Sequence, residues 1–182
     1  MKVFIIISGL LICSLSAYSQ EQPNKFIKVS VTEQKLYLIE DDQTLKQYSV
    51  STSVYGIGSE AGSNKTPLGT HKVISKFGDG APLGTIFRSR INTGRVAKIY
   101  TDDTDLEDDD VTTRILRLTG LEPGKNKGSG VDSFSRYIYI HGTPEEGLIG
   151  KPASHGCIRM KNADVVELYD LVSEETLVMI ER

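Results

Sequence analysis

Short apolar stretches with a period of two, divided by glycine- and proline-rich breaks, limit this chain to a β-rich fold. Ile27, Val29 and Val31 alternate with Lys28, Ser30 and Thr32, the pattern of a strand with one buried and one wet face. Strands are expected next over residues 35–39 and 47–50, and the polar run Glu40-Asp41-Asp42-Gln43 between them suits an antiparallel turn. Further strands are expected over residues 70–75, 85–89, 96–100, 112–118, 136–141 and 176–180. Gly- and Pro-rich breaks at 56–62, 78–84 and 123–130 separate them. Such spacing suits a sandwich or a barrel. One helix is expected near the C-terminus. Asn162 is placed to cap it, Asp164 favours its dipole, and Val165, Val166, Leu168, Tyr169 and Val172 recur at helical spacing. The chain has 182 residues, enough for one domain and cramped for two.

The first residues read differently. Lys2 precedes thirteen mostly apolar, uncharged residues from Val3 to Leu15, and Ala17-Tyr18-Ser19 offers a small-x-small cleavage pattern. Residues 1–19 are therefore expected to be a secretory signal peptide; the apolar run is short for a membrane span. Ile12 stands before Cys13, where a lipid-attachment motif needs a small residue, so no stable membrane anchor is expected after cleavage. The two cysteines, Cys13 and Cys157, would permit one disulfide. Signal cleavage removes Cys13 and leaves residues 20–182 with Cys157 as a single thiol, which a secreted chain must bury, pair with another molecule or use.

The formal net charge is −3. A strongly basic face for phosphate neutralisation is absent from this balance, so nucleic acid is not an expected partner. Gly56-Ile57-Gly58-Ser59-Glu60-Ala61-Gly62 resembles a dinucleotide fingerprint, but Asn64-Lys65-Thr66-Pro67 follows it, where that mechanism needs a helix N-terminus. Segment 101–110 carries seven carboxylates. Asp108 stands where a calcium loop needs glycine, and the segment reads as a solvated acidic loop.

The chemistry-bearing residues crowd between Tyr137 and Met160. Two of the three histidines, His141 and His155, lie here with Cys157. His141 ends an expected strand, and Gly156 precedes the cysteine. A thiol becomes a nucleophile when an imidazole lowers its pKa or takes its proton. Backbone N–H groups of Gly156 and Cys157 can form an oxyanion hole. Arg159 shares the face of Cys157 if the segment is extended, as does His155, and its guanidinium can grip a carboxylate. Three other readings stay open on residue types alone. Cys157 can be a buried small hydrophobe. His141, His155 and Cys157 can bind zinc with Glu145 or Glu146. A copper site with Met160 is weaker, since no histidine follows Cys157.

His141-Gly142-Thr143 followed by Ser154-His155-Gly156-Cys157-Ile158-Arg159-Met160 resembles the signature of the L,D-transpeptidases of the YkuD or ErfK type. Thr66-Pro67-Leu68-Gly69 is similar to that family's Thr-Pro-x-Gly turn, and the likeness runs over about residues 25–182. It implies a mainly-β, L,D-transpeptidase-type β-sandwich with a short C-terminal helix and an active-site flap. It implies a cell-wall enzyme, a transferase of peptidoglycan biosynthesis, that needs no cofactor. Cys157 would attack the diaminopimelate carbonyl of a tetrapeptide stem, release D-alanine and form a thioester. An amine would then take the acyl group, giving a 3→3 cross-link or a related attachment; water as acceptor would make a carboxypeptidase or cross-link hydrolase. Carbapenems would acylate the same thiol.

The same likeness implies roles for individual residues. His141 is the base, the Gly142 carbonyl orients it, and His155 is a supporting histidine. Gly156 and Cys157 supply the oxyanion N–H groups. Arg159 binds or positions substrate, Ser154 supports the turn, and Tyr139 and Thr143 line the wall. A monomer in the periplasm or cell envelope is expected, acting on peptidoglycan stem peptides. No wall-binding module is visible in residues 20–25. Segment 78–84 is expected to form part of the flap.

Overall fold

The computed structural model describes residues 25–106 and 109–182. The expected signal peptide, its cleavage site and Cys13 lie outside these residues.

Strands β1 (Lys25–Ser30), β2 (Lys35–Glu40) and β3 (Gln43–Ser51) form an antiparallel meander. The β2–β3 turn is the expected polar run: Asp41 and Asp42 take φ of 49° and 63°, as a two-residue hairpin turn requires. Strands β4 (Gly69–Phe77), β5 (Thr85–Arg88), β6 (Ile91–Val96) and β7 (Val111–Gly120) follow. After them come β8 (Tyr139–Gly142), β9 (Ile158–Met160), the helix α1 (Asn162–Leu171) and β10 (Leu177–Glu181).

The sheet order is β4-β10-β1-β2-β3-β9-β8-β7-β5-β6, and β4 also pairs with β7. That last pairing closes eight strands into a ring, with the β5–β6 hairpin attached to β7. The expected sandwich is therefore corrected to a closed, barrel-like sheet. Closure pairs β4 with β7 within the sheet and, among the described strands, leaves an open edge only on β6 of the attached hairpin.

The alternating residues meet as intended. Ile27, Val29, Leu36, Leu38, Leu116, Leu118, Ile140 and Ile158 share one buried cluster, and Val165, Leu168 and Tyr169 of α1 join it. Two local expectations change. The strand expected at 96–100 is instead β6, whose side chains are almost all exposed and therefore carry no apolar alternation. Asn162 is the first residue of α1 rather than its cap; Lys161 precedes the helix, and no side chain caps it.

His71, the third histidine, is fully buried on β4. Its ring bridges the Gly69 carbonyl and Ser133 Oγ, each at 2.9 Å. Burial pushes its pKa down to about 4. It is a neutral structural tie between β4 and the 121–138 connection. Among the described residues, no helix is long and apolar enough to cross a membrane.

Candidate active site

β8 and β9 run parallel, with Ile140 beside Ile158 and His141 beside Arg159. Ile140 and Ile158 point into the main core. Alternation then sends Tyr139, His141 and Arg159 to the opposite face. Cys157, one residue before β9, joins them: it packs with Phe87, Ile115 and Tyr139 in a second, smaller cluster. The Tyr139 N–H donates to Cys157 Sγ and the thiol donates to the Tyr137 carbonyl, both at 3.4 Å. Cys157 is a free thiol, half-buried.

The imidazole of His141 is buried, and its Nδ1 lies 2.8 Å from the Gly142 carbonyl oxygen. A carbonyl only accepts, so Nδ1 carries the proton and Nε2 is left as the acceptor in the neutral ring. Burial lowers the His141 pKa against the opposing charge of Asp109. Burial and the same Asp109 charge push the Cys157 thiol up to about 12. At rest the thiol and the imidazole are thus both neutral, and strand alternation puts them on one face.

Two glycines are required, Gly142 by space and Gly156 by its backbone conformation. A Cβ on Gly142 would lie 2.6 Å from Asn162 Oδ1 and 2.9 Å from the Thr112 carbonyl. That crowding arises because the Asn162 amide ties the site together. Its oxygen accepts from the hydroxyls of Thr112 and Thr113, and its nitrogen donates to the Thr143 carbonyl and Glu146 Oε1. Thr113 sits at an irregularity in β7 with φ of 66°, which turns both hydroxyls toward the amide. Gly156 has φ of 119°, and its Cβ would meet the Lys65 carbonyl at 3.3 Å. Its turn is pinned twice: Ser154 Oγ donates to the Cys157 carbonyl at 2.6 Å, and Thr66 Oγ1 donates to the Gly156 carbonyl at 3.1 Å. The Thr-Pro-x-Gly segment therefore braces the cysteine turn. The Gly156 N–H donates to Ser154 Oγ at 3.2 Å, so of the two expected oxyanion donors it is already engaged.

Arg159 departs most from expectation. It is 1% exposed. Its Nη1 lies 2.7 Å from Glu145 Oε2 and its Nη2 lies 2.8 Å from Asp109 Oδ2. Its two terminal nitrogens are thus held by internal carboxylates rather than turned to a ligand, and of the expected roles, binding or positioning substrate, this burial favours positioning. Asp109 also takes the Nδ1 of His155 at 3.2 Å. Burial pushes Asp109 up, but the charge of Arg159 and the hydrogen bonds from Arg159 and His155 help hold the carboxyl below its ordinary value. His155 is half-exposed, with its ring 5.7 Å from that of Tyr55. Glu145, wholly buried, also accepts the Leu106 N–H. Arg159→Leu would strand two carboxylates. The expected cost is about 3–5 kcal/mol of unfolding free energy, read by urea denaturation; a change below about 1 kcal/mol would refute this account of the pair.

Tyr139 and Thr143 are not open walls. Thr143 is fully buried and accepts the Glu145 N–H. Tyr139 is 7% exposed and accepts from Arg90 Nη1 at 2.9 Å. The zinc reading loses its carboxylates: Glu145 is held by Arg159, and Glu146 by Asn162. Among the described residues, no group of three or more His, Cys, Asp or Glu is arranged to hold a metal ion. In the acidic segment, Asp110 pairs with Arg88 and Asp103 with Lys151, while Asp109 turns into the site. Nothing in the sequence distinguished Asp109 from its neighbours. Asn162 read only as a cap, and Glu145 only as a metal ligand.

The chain matches the YkuD family model, the L,D-transpeptidase catalytic domain, over residues 24–180. Over 61 residues it is 48% identical to a Bacillus subtilis protein provisionally assigned as the L,D-transpeptidase YkuD, covering 33% of this chain and 37% of that one. Among solved structures it is similar to an L,D-transpeptidase from Mycobacterium smegmatis. There the TM-score is 0.56 at 18% identity, over 88% of this chain and 59% of the other. It is also similar to L,D-transpeptidase 3 of Mycobacterium tuberculosis, solved in complex with a faropenem-derived adduct. There the TM-score is 0.53 at 19% identity, over 88% of this chain and 61% of that one. These two likenesses concern the fold. The chain spans about a third of the Bacillus relative and about three-fifths of the structural neighbours.

Proposed function

The chain belongs to the L,D-transpeptidase catalytic-domain family, and from that premise we propose that it transfers a peptidoglycan stem peptide through a thioester on Cys157. The observation that carries this reading is the His141 ring. Its Nδ1–H is fixed on the Gly142 carbonyl at 2.8 Å, which leaves Nε2 as base on the face that presents the cysteine.

In the proposed cycle, Cys157 Sγ attacks the carbonyl of diaminopimelate as its proton passes to His141 Nε2. The Cys157 N–H stabilises the oxyanion, since the Gly156 N–H is held by Ser154. Collapse breaks the amide bond, and His141 returns the proton to the departing D-alanine amine. An acceptor amine then attacks the thioester, gives its proton to His141 and releases the thiol. No electron is transferred in either half, so the chemistry calls on the thiol, the imidazole and backbone donors alone. His155 and Asp109 steady the turn that carries the nucleophile. This reading places the protein in the cell envelope, where its substrate lies.

Incubation of the wild-type protein with purified disaccharide-tetrapeptides tests it. The expected product is a dimer with the mass of two donors less one D-alanine. Tripeptide formed with gain of water would make the protein a hydrolase, and donors left unchanged would sink the reading.

A further inference from the structure

Two guanidinium groups border Tyr137 and Tyr139, the residues whose backbone contacts the sulfur. Arg90, at the tip of the β5–β6 hairpin, and Arg117, on β7, each stand 5.5 Å from the centre of the Tyr137 ring. Arg90 donates to the Tyr139 hydroxyl, and Arg117 to the Phe134 carbonyl at 3.2 Å. Arg117 also lies over the Phe134 ring at 3.5 Å, and its Nε is buried without a partner. Among the described residues, neither arginine is within ion-pair distance of an acid. Burial and the like charge of Arg90 both push the Arg117 pKa down.

The backbone here is held against its preference. Ser89 and Arg90 form a two-residue hairpin turn with φ of 48° and 70°, and Tyr137 has φ of 57°. Left-handed conformations at such residues are uncommon and cost energy; hairpin turns of this kind ordinarily use Asn-Gly. The strain falls on the residue that carries one of the cations and on the aromatic ring both of them face. Tyr137 is also 54% exposed, and both arginines are part-exposed. The Tyr137 carbonyl and the Tyr139 N–H are the groups that hold the Cys157 sulfur. An anion seated on the pair would therefore border the segment that holds the nucleophile.

We propose that Arg90 and Arg117 form a carboxylate-binding subsite beside Cys157 that fixes the acyl donor by one of its carboxylates. Two forked cations match the two oxygens of a carboxylate, and binding would relieve their mutual repulsion. As a statement about the donor, this rests on the transfer reading above; as a statement about the site, it does not. Two carboxylates of a tetrapeptide stem flank the scissile bond: that of the terminal D-alanine and that on the diaminopimelate side chain.

The test uses alkylation of Cys157 by iodoacetate, which carries a carboxylate, against neutral iodoacetamide. Rates are read by mass spectrometry of the peptide containing Cys157. In Arg90→Gln/Arg117→Gln the ratio of iodoacetate to iodoacetamide rates should fall about tenfold, with the iodoacetamide rate within about twofold of wild type. A control of equal charge change, Lys46→Gln/Lys72→Gln, should leave the ratio unchanged. An unchanged ratio in the arginine variant, or an equal fall in the control, overturns the subsite whether or not the protein is a transpeptidase. Donors amidated at one carboxylate at a time then identify the one bound. The amide whose KM no longer responds to the arginine substitutions marks it. If both amides respond as the free acid does, the donor assignment is wrong.

Discussion

If the transfer reading holds, Cys157→Ala is expected to abolish dimer formation from tetrapeptide donors and, with it, the mass adduct that reading expects a carbapenem to leave on the wild-type protein. The loss should exceed about 10³-fold, because the proposed covalent intermediate could not form. Folding should survive. The side chain is small and half-buried, and its hydrogen bonds to Tyr137 and Tyr139 are weak ones, since a thiol is a poor donor and a poor acceptor. A urea midpoint close to wild type, beside absent product and absent adduct, is the full expected result. Product formed at the wild-type rate by the alanine variant would mean that the reaction does not pass through this sulfur.

His141→Ala is expected to cost about 10²–10⁴-fold in acylation rate at neutral pH, the range a general base supplies. The pH profile separates this role from a structural one. The thiol is held near 12, so it is not ionised at rest and needs a base. The imidazole pKa is lowered from 6.5 by burial, so the base is already neutral at pH 7. Wild-type acylation should therefore fall as pH drops through that lowered value and stay flat from about pH 7 to 9. The alanine variant should lose the acid limb and rise with pH instead, following the small thiolate fraction. A resting thiolate would show the opposite, with acylation in the variant undiminished at pH 8. Removing the base should also make the two alkylating agents slower together, unlike the charge-selective change expected for Arg90 and Arg117.

Most of the barrel is legible in the sequence because its strands bury one face. Ile27 and Val29, Leu36 and Leu38, and Leu116 and Leu118 alternate with polar residues and all reach the same core. The exceptions have physical causes. β6 buries no face, so no periodicity marks it. β9 has three residues, all buried, too few for any period. Sandwich and barrel could not be told apart, because the strands are the same in both and only the β4–β7 pairing closes the ring.

The site divides in the same way. The thiol and the imidazole were visible as residue types, while the glycine whose carbonyl holds the ring came only from the family resemblance. Depth was not visible. The spacing of Cys157 and Arg159 puts both on one face, yet says nothing of the Asp109 and Glu145 carboxylates that enclose the guanidinium. Asp109 is one acid in an acidic run, and only the folded chain selects it.

The parallel pairing of β1 with β10 has a consequence for how the chain reaches this state. Phe26 lies beside Leu177, and Val29 beside Ile180, so one of the first ordered strands cannot complete its hydrogen bonds until one of the last has been delivered. Contacts of such long sequence separation carry a heavy loop-closure penalty before they return any stabilisation, and folds dominated by them assemble over milliseconds to seconds. Until β10 docks, β1 and β4 both keep an open edge. A chain emerging in order should thus stay uncommitted until its final strand is free, and its barrel should close late and in one cooperative step.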